Sequence, residues 1–87
     1  MTSPGSDINI KEFYEAYSES LGLEGARKIV DQAVIDSGLP KQVNYTPADA
    51  IRICDTLKKS TGYVAIIAGF LGARFALRKV NNPRLQT

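Results

Sequence analysis

The sequence contains no histidine and only one cysteine, Cys54, among its 87 residues. Histidine is the commonest general base and metal ligand in proteins, so its absence argues against most acid–base enzymes and most metal sites. A single cysteine cannot form a disulfide within the chain or a zinc cluster, and it is compatible with a reducing compartment. Because Cys54 lies between Ile51 and Leu57 on the apolar side of a predicted helix, we expect a small buried side chain rather than a reactive thiol.

Phosphate-binding glycine loops and long apolar runs are also missing. The glycines punctuate predicted helices or lie inside one, so none predicts a loop that cradles a phosphate. The first residues, MTSPGSD, lack a basic start and an apolar run, and they predict no secretory signal. The uncharged run that begins at Gly62 stops at Arg74 after twelve residues, whereas a membrane span needs about 20. These absences predict a cytoplasmic protein that is not an enzyme and holds no cofactor or metal.

The length and charge of the chain restrict its organisation. Eighty-seven residues suffice for one domain with a modest core, whose stability would gain from burial against a partner. Residues 1–50 carry four basic and eight acidic residues, a net charge of −4, and residues 51–87 carry seven basic and one acidic, a net charge of +6. This asymmetry fits either attraction between the two halves inside one fold or a basic docking face.

Four segments repeat apolar residues at the three-and-four spacing of a helix, and their ends carry capping signals. Asn9 and Thr46 are typical N-cap residues, and Pro47 suits the first position of a helix. Gly38 and Pro40 together indicate the end of the second helix. The predicted helices span residues 9–21, 24–37, 46–59 and 62–80.

These helices predict an all-α fold, a compact bundle of four helices with the apolar C-terminal helix central. No segment alternates apolar and polar residues over a useful length, so no strand is predicted. We expect residues 1–8 to form a flexible N-terminal lead, residues 9–82 a single helical domain and residues 83–87 a C-terminal tail.

The fourth predicted helix carries the most unusual pattern in the chain. Its small residues are spaced by four in two interleaved series, and at about 100° per residue they occupy one arc of roughly 140°. Such a surface lets another helix backbone approach closely, either within the chain or from a second chain. We therefore treat it as a candidate interface. This small-residue seam comprises Ala65, Ala68, Gly69, Gly72, Ala73 and Ala76.

Basic residues in the C-terminal half supply a second candidate site. Arg74 and Arg78 are four residues apart, on the side of the fourth helix opposite the small-residue seam. They either pair with acidic residues of the first two helices or belong to an anion- or partner-binding end of the bundle. The cations considered for that end are Lys58, Lys59, Arg74, Arg78, Lys79 and Arg84.

Two functions follow as hypotheses. The first is a small non-enzymatic helical interaction module, a homodimer or a regulatory adaptor for a protein partner. It is favoured because the fourth helix is apolar nearly all round. Three short amphipathic neighbours would leave part of this apolar surface uncovered. The alternative is a small nucleic-acid-binding regulator that uses the basic half. That signal is weaker, because the cations are not interleaved with aromatic residues or loop glycines.

Overall fold

The structure of the protein, a computed structural model, describes residues 7–80 and the side chains of residues 7–78. Most of these residues belong to three helices: α1 (Ile10–Asp36), α2 (Pro47–Lys58) and α3 (Tyr63–Val80). Two strands of two residues each, β1 (Ile8–Asn9) and β2 (Asn44–Tyr45), pair antiparallel with Ile8 opposite Tyr45. The mainly helical prediction is confirmed, and the short sheet is an addition to it.

The predicted count of four helices is not confirmed, because the first two predicted helices form one element, α1. Gly22 interrupts α1 with a φ of 76° and a ψ of 165°, which lie outside the helical range, and the element is kinked there. Only glycine adopts this backbone region readily, since a Cβ would clash with the neighbouring peptide groups. The stop signal at Gly22 therefore produces a kink rather than a loop.

The other helix ends follow the capping chemistry of the sequence. The Thr46 hydroxyl accepts a hydrogen bond from the backbone N–H of Asp49 at 3.2 Å and caps α2. Gly38 has a φ of 77°, and the next residue, Leu39, donates its N–H to the Val34 carbonyl at 3.2 Å. This left-handed cap satisfies the last carbonyls of α1.

The sheet anchors the start of the described chain. Ile8 is fully buried, and the N–H of Ile10 donates to the carbonyl of Val43 at 2.8 Å. Ile8 therefore belongs to the folded domain, which corrects its assignment to a flexible lead. The pairing was not predicted because two residues are too few to show alternation. Residues 1–6 of that lead and the whole predicted tail, residues 83–87, lie outside the described residues.

The hydrophobic core contains side chains from all three helices and both strands. The rings of Phe13 in α1 and Phe75 in α3 pack with their centroids 5.3 Å apart. The buried Tyr17 donates its hydroxyl to the Val64 carbonyl at 2.7 Å, which ties α1 to the first turn of α3. Cys54 is fully buried in α2, as the sequence predicts.

The C-terminal helix, α3, contacts both of the other described helices but leaves one of its sides exposed. It packs more extensively against α2 than against α1. Ala68, Leu71 and Phe75 are buried, whereas Phe70 and Leu77 are exposed. The buried residues lie on one side of α3, so both neighbouring helices cover that side and leave the opposite side exposed.

Two glycine substitutions should change stability in opposite directions. Gly22→Ala should lower the free energy of unfolding, because an L-residue at this φ and ψ is strained by about 1–3 kcal/mol. Gly72→Ala is the matched control, since a Cβ there would lie 3.7 Å from the Cβ of Cys54, an ordinary contact. Alanine is favoured over glycine in a helix by about 1 kcal/mol, so this variant should be more stable. Urea unfolding followed by circular dichroism measures both, and a Gly22→Ala variant as stable as wild type would contradict the kink.

Candidate interaction face

One side of α3 contacts the rest of the molecule, and we call it the inner face. Its apolar members are Val64, Ala68, Leu71 and Phe75, spaced by four, three and four residues. The last three are buried, and Val64 is half-buried against the core. This spacing keeps a single stripe in contact with α1 and α2 along the length of α3.

The opposite side of α3 carries a second apolar stripe, which we call the outer face. It comprises Tyr63, Ile66, Phe70, Ala73 and Leu77, spaced by three, four, three and four residues. The four large side chains are 70%, 56%, 71% and 70% exposed, and Ala73 is exposed as well. Alternate spacings of three and four are typical of helices that pack along a shared seam with another helix. None of the other described elements covers these side chains.

The small-residue seam connects the two faces of α3. Ala68 and Gly72 are buried at its inner edge, beside α2, whereas Ala73 lies exposed at its outer edge. A Cβ on Gly69 would meet no atom within 4 Å, so this part of the helix surface is open. Ala65 and Ala76 are partly exposed between the two edges. The seam therefore serves packing within the chain on one edge, and its other edge adjoins the outer face.

Arg78 forms the main ion pair between α3 and α1. Its guanidinium donates to both carboxylate oxygens of Glu12, at 3.0 Å and 3.2 Å, and to the backbone carbonyl of Asp7 at 3.4 Å. It also lies 5.9 Å from the ring centroid of Phe75. The more exposed Arg74 reaches only 4.0 Å from Glu12. The bidentate geometry makes Arg78 the stronger partner of this carboxylate.

Among the four candidate cations whose side chains the structure describes, Arg74 and Arg78 both lie beside Glu12, whereas Lys58 and Lys59 belong to α2. The Lys58 ammonium lies 3.9 Å from the Asp55 carboxylate and beside Gly72. Positions 72 and 74 are about 160° apart around a helix, so Lys58 and Arg74 lie on different sides of α3. Lys59 is exposed at the end of α2. The Lys79 side chain and Arg84 lie outside the described residues, and an anion-binding end of the bundle stays a prediction.

A polar cluster spans the kink of α1. Tyr14 precedes Gly22, and Asp31 lies on the other side of the kink. The Tyr14 hydroxyl donates a hydrogen bond of 2.7 Å to the Asp31 carboxylate. Lys41 donates to the other oxygen of Asp31 at 3.0 Å, and the Arg27 guanidinium lies 5.8 Å from the Tyr14 ring centroid. These contacts stabilise the angle between the two segments of α1.

The pKa shifts in this cluster follow from burial and from these hydrogen bonds. Burial and the hydrogen bond to Asp31 raise the pKa of Tyr14 to about 12. Burial alone would raise the pKa of Asp31, but the hydrogen bonds from Tyr14 and Lys41 outweigh it, and the pKa is lowered. Both residues therefore favour the charge states that make the hydrogen bond, a neutral phenol and an ionised carboxylate.

The remaining nucleophilic groups are poorly suited to chemistry. Burial raises the pKa of the Cys54 thiol to about 12, so the thiol stays protonated at neutral pH. Burial also raises the pKa of Tyr17, whose hydroxyl is engaged with Val64. Within the described part of the chain, no group of three or more histidine, cysteine or carboxylate side chains is placed to hold a metal ion. No helix among those residues is long and apolar enough to cross a membrane.

A surface groove of about 430 Å³ lies between the second segment of α1 and the C-terminal end of α2. Its apolar floor includes Ile29 and Leu57, and its rim includes Lys28, Asp36 and Thr56. The groove lies away from the outer face of α3, and its rim does not gather charge of one sign. We therefore take the outer face as the better candidate for a functional surface.

The small residues of α3 predict the seam as an interface, but they do not separate the outer face from the inner one. The sequence does contain the outer stripe, with its three-and-four spacing, in Tyr63, Ile66, Phe70, Ala73 and Leu77. A second stripe with the same spacing lies on the opposite side, and the spacing alone does not say which stripe the chain covers.

Compared with protein-family models, with curated proteins and with solved structures, the chain matches none.

A double-mutant cycle should separate the two arginines. Arg78→Met and Glu12→Gln should show a coupling free energy of about 1 kcal/mol, because a bidentate, half-buried ion pair is lost in either variant. Arg74→Met, the matched control, should couple to Glu12→Gln by about 0.5 kcal/mol or less, since exposed pairs lie between about 0 and 1 kcal/mol and Arg74 is 4.0 Å from the carboxylate. Urea unfolding of the single and double variants gives these values. Stronger coupling through Arg74 than through Arg78 would contradict the observed pairing.

The Tyr14–Asp31 contact should make stability depend on pH at both extremes. Asp31 has a lowered pKa in the folded state, so its contribution is present above about pH 4 and is lost as the pH falls further. Tyr14 has a raised pKa of about 12, so its contribution is present below about pH 10 and is lost as the pH rises toward 12. Thermal unfolding across pH should show a flatter acid limb in Asp31→Asn and a flatter alkaline limb in Tyr14→Phe.

Lys41→Met is the intermediate case for this test. It removes one donor to Asp31 and leaves the carboxylate and the Tyr14 hydroxyl in place. The acid limb should therefore flatten only in part. Variants that keep the full pH dependence of wild type would show that the cluster does not contribute to stability.

Proposed function

We propose that this protein is a small, non-enzymatic helical interaction module that self-associates through the outer face of α3. The observation that carries the proposal is the exposure of Tyr63, Ile66, Phe70 and Leu77, each more than half exposed, along one stripe of a single helix. Isolated exposed apolar residues are ordinary on protein surfaces, but a continuous apolar patch is a common feature of interaction sites.

The large side chains of the outer face supply part of the area that a stable interface requires. Its four large side chains leave roughly 500 Å² of apolar surface exposed, given side-chain areas of about 150–250 Å². A stable interface buries about 800 Å² per partner, so the outer face needs its flanks as well. Gly69, Ala76 and the half-buried Ile67 border it and extend the surface that a second helix would cover.

A second copy of the chain is a suitable partner for the outer face. The stripe has no charged member, so two copies bring no like charges together at its centre. Arg74 lies beside the stripe, and its guanidinium is 4.0 Å from Glu12 of the same chain. An isologous pair also places both exposed stripes in one interface and leaves none uncovered.

The nucleic-acid alternative has less support from the described residues. Arg78 is engaged by Glu12 and by a backbone carbonyl, and Lys58 lies on a different side of α3 from Arg74. A nucleic-acid backbone is bound by cations that share one surface. Binding to random duplex DNA at low salt tests this alternative directly.

Light scattering after size exclusion tests the proposal at several concentrations. The wild-type chain has a mass of 9.5 kDa as a monomer. Because we propose a C2 dimer, the mass measured by light scattering should be about twice that value. Phe70→Glu should remain helical and raise the dissociation constant roughly 100-fold or more, since each dimer loses two phenyl contacts of about 1.5–3 kcal/mol each.

Ile35→Glu provides the matched control for this experiment. Ile35 lies on α1 and is 65% exposed, close to the exposure of Phe70. Its replacement should leave the dimer intact, because the outer face of α3 is unchanged. A wild-type protein that stays monomeric at high concentration would overturn self-association, and equal effects of both variants would show that the contact is not specific to α3.

A further inference from the structure

We infer that the two copies pair with their α3 helices antiparallel. The two-fold axis passes midway between the levels of Phe70 and Ala73. This inference depends on the proposed self-association and adds its direction and register. In this register Phe70 of each copy lies opposite Ala73 of the other, and Ile66 lies opposite Leu77. The geometry that supports it is the order of large and small residues along and beside the outer face.

The order of residue sizes favours this register. In the antiparallel pair the two central levels join a large side chain with a smaller one, Phe70 with Ala73, and the next levels join two aliphatic ones, Ile66 with Leu77. In a parallel pair each residue meets its own copy. Two exposed Phe70 rings would then share one level, and two Ala73 methyl groups would leave the next level under-filled. Well-packed interfaces alternate large and small side chains across facing positions.

The flanks of the outer face favour the same direction. Gly69 and Ala76 border it on one side, and Ile67 and Arg74 border it on the other. When two helices pack antiparallel along such a stripe, like flanks face each other. The small flank of one copy then meets the small flank of the other, and the open surface at Gly69 lets the two backbones approach closely.

The larger flank is also accommodated in this arrangement. The aliphatic part of Arg74 lies near the level of Ile67 in the second copy and covers part of it, while its guanidinium remains within reach of Glu12. In a parallel pair the small flank would face the larger one, and neither edge would combine two small surfaces. In the antiparallel pair the larger flank brings the two Arg74 positions to about 7.5 Å apart along the axis, and Glu12 of each copy lies beside its own Arg74.

Cysteine cross-linking distinguishes the two directions. In a Cys54→Ala background, Ile66→Cys and Leu77→Cys are prepared as separate proteins, with a mass tag on one of them. In the antiparallel pair, position 66 of one copy adjoins position 77 of the other, and identical positions are about 16 Å apart along the axis. Since a disulfide requires Cα atoms within about 7 Å, only the mixture should form cross-linked dimers under oxidation.

The outcomes separate this inference from the proposed function. A dimer in which each single variant cross-links to itself, with no cross-link between positions 66 and 77, overturns the antiparallel pairing and leaves self-association standing. A dimer that cross-links in neither way overturns this register, and the effect of Phe70→Glu then decides whether the outer face is the contact. A chain that is monomeric by light scattering removes the proposed function itself.

Ala73→Leu provides a second measurement that does not depend on oxidation. Opposite Phe70 the leucine overpacks the antiparallel interface, and it should raise the dissociation constant roughly tenfold or more. In a parallel pair the same change would fill the level at which two alanines meet and would strengthen the dimer. Because Ala73 is exposed in the single chain, the fold of the monomer should be unaffected. A tighter dimer would overturn the inference.

Discussion

The apolar character of α3 around most of its circumference is the constraint on which the rest of the structure depends. Residues 7–80 supply only two other helices, and both pack on the inner face, where Ala68, Leu71 and Phe75 are buried. The outer face retains four large exposed side chains as a consequence. Burial of apolar surface is the main favourable term in folding and association alike, so the uncovered stripe is a source of binding free energy for a partner.

Polar contacts between distant parts of the chain set the orientation of α3 and therefore the direction of its outer face. Tyr17 bonds to Val64 near the start of α3, and Arg78 bonds to Glu12 near its end. Both partners come from the first segment of α1, so α3 is held at two levels against the same helix segment. A stripe that is rigidly presented in this way loses little conformational entropy on binding.

Local features of the fold were predictable because they depend on residues close together in the sequence. Thr46 caps α2 by a hydrogen bond to a residue three positions away, and Gly38 ends α1 through its own backbone conformation. The burial of Cys54 follows from helical spacing. In contrast, the pairing of Ile8 with Tyr45 joins strands too short to leave a pattern, and it depends on how α1 and α2 are placed.

The mainly helical structure, the caps and the nearly all-apolar surface of α3 follow from the sequence alone, since propensity, periodicity and capping act within a few residues. The tertiary structure selects which stripe of α3 is covered, because its two stripes have the same spacing. It likewise decided that Arg78, rather than Arg74, binds both oxygens of Glu12. These choices depend on contacts of α3 with the other two helices, such as the Glu12–Arg78 pair, whose members are 66 positions apart, and such contacts form only when the helices pack.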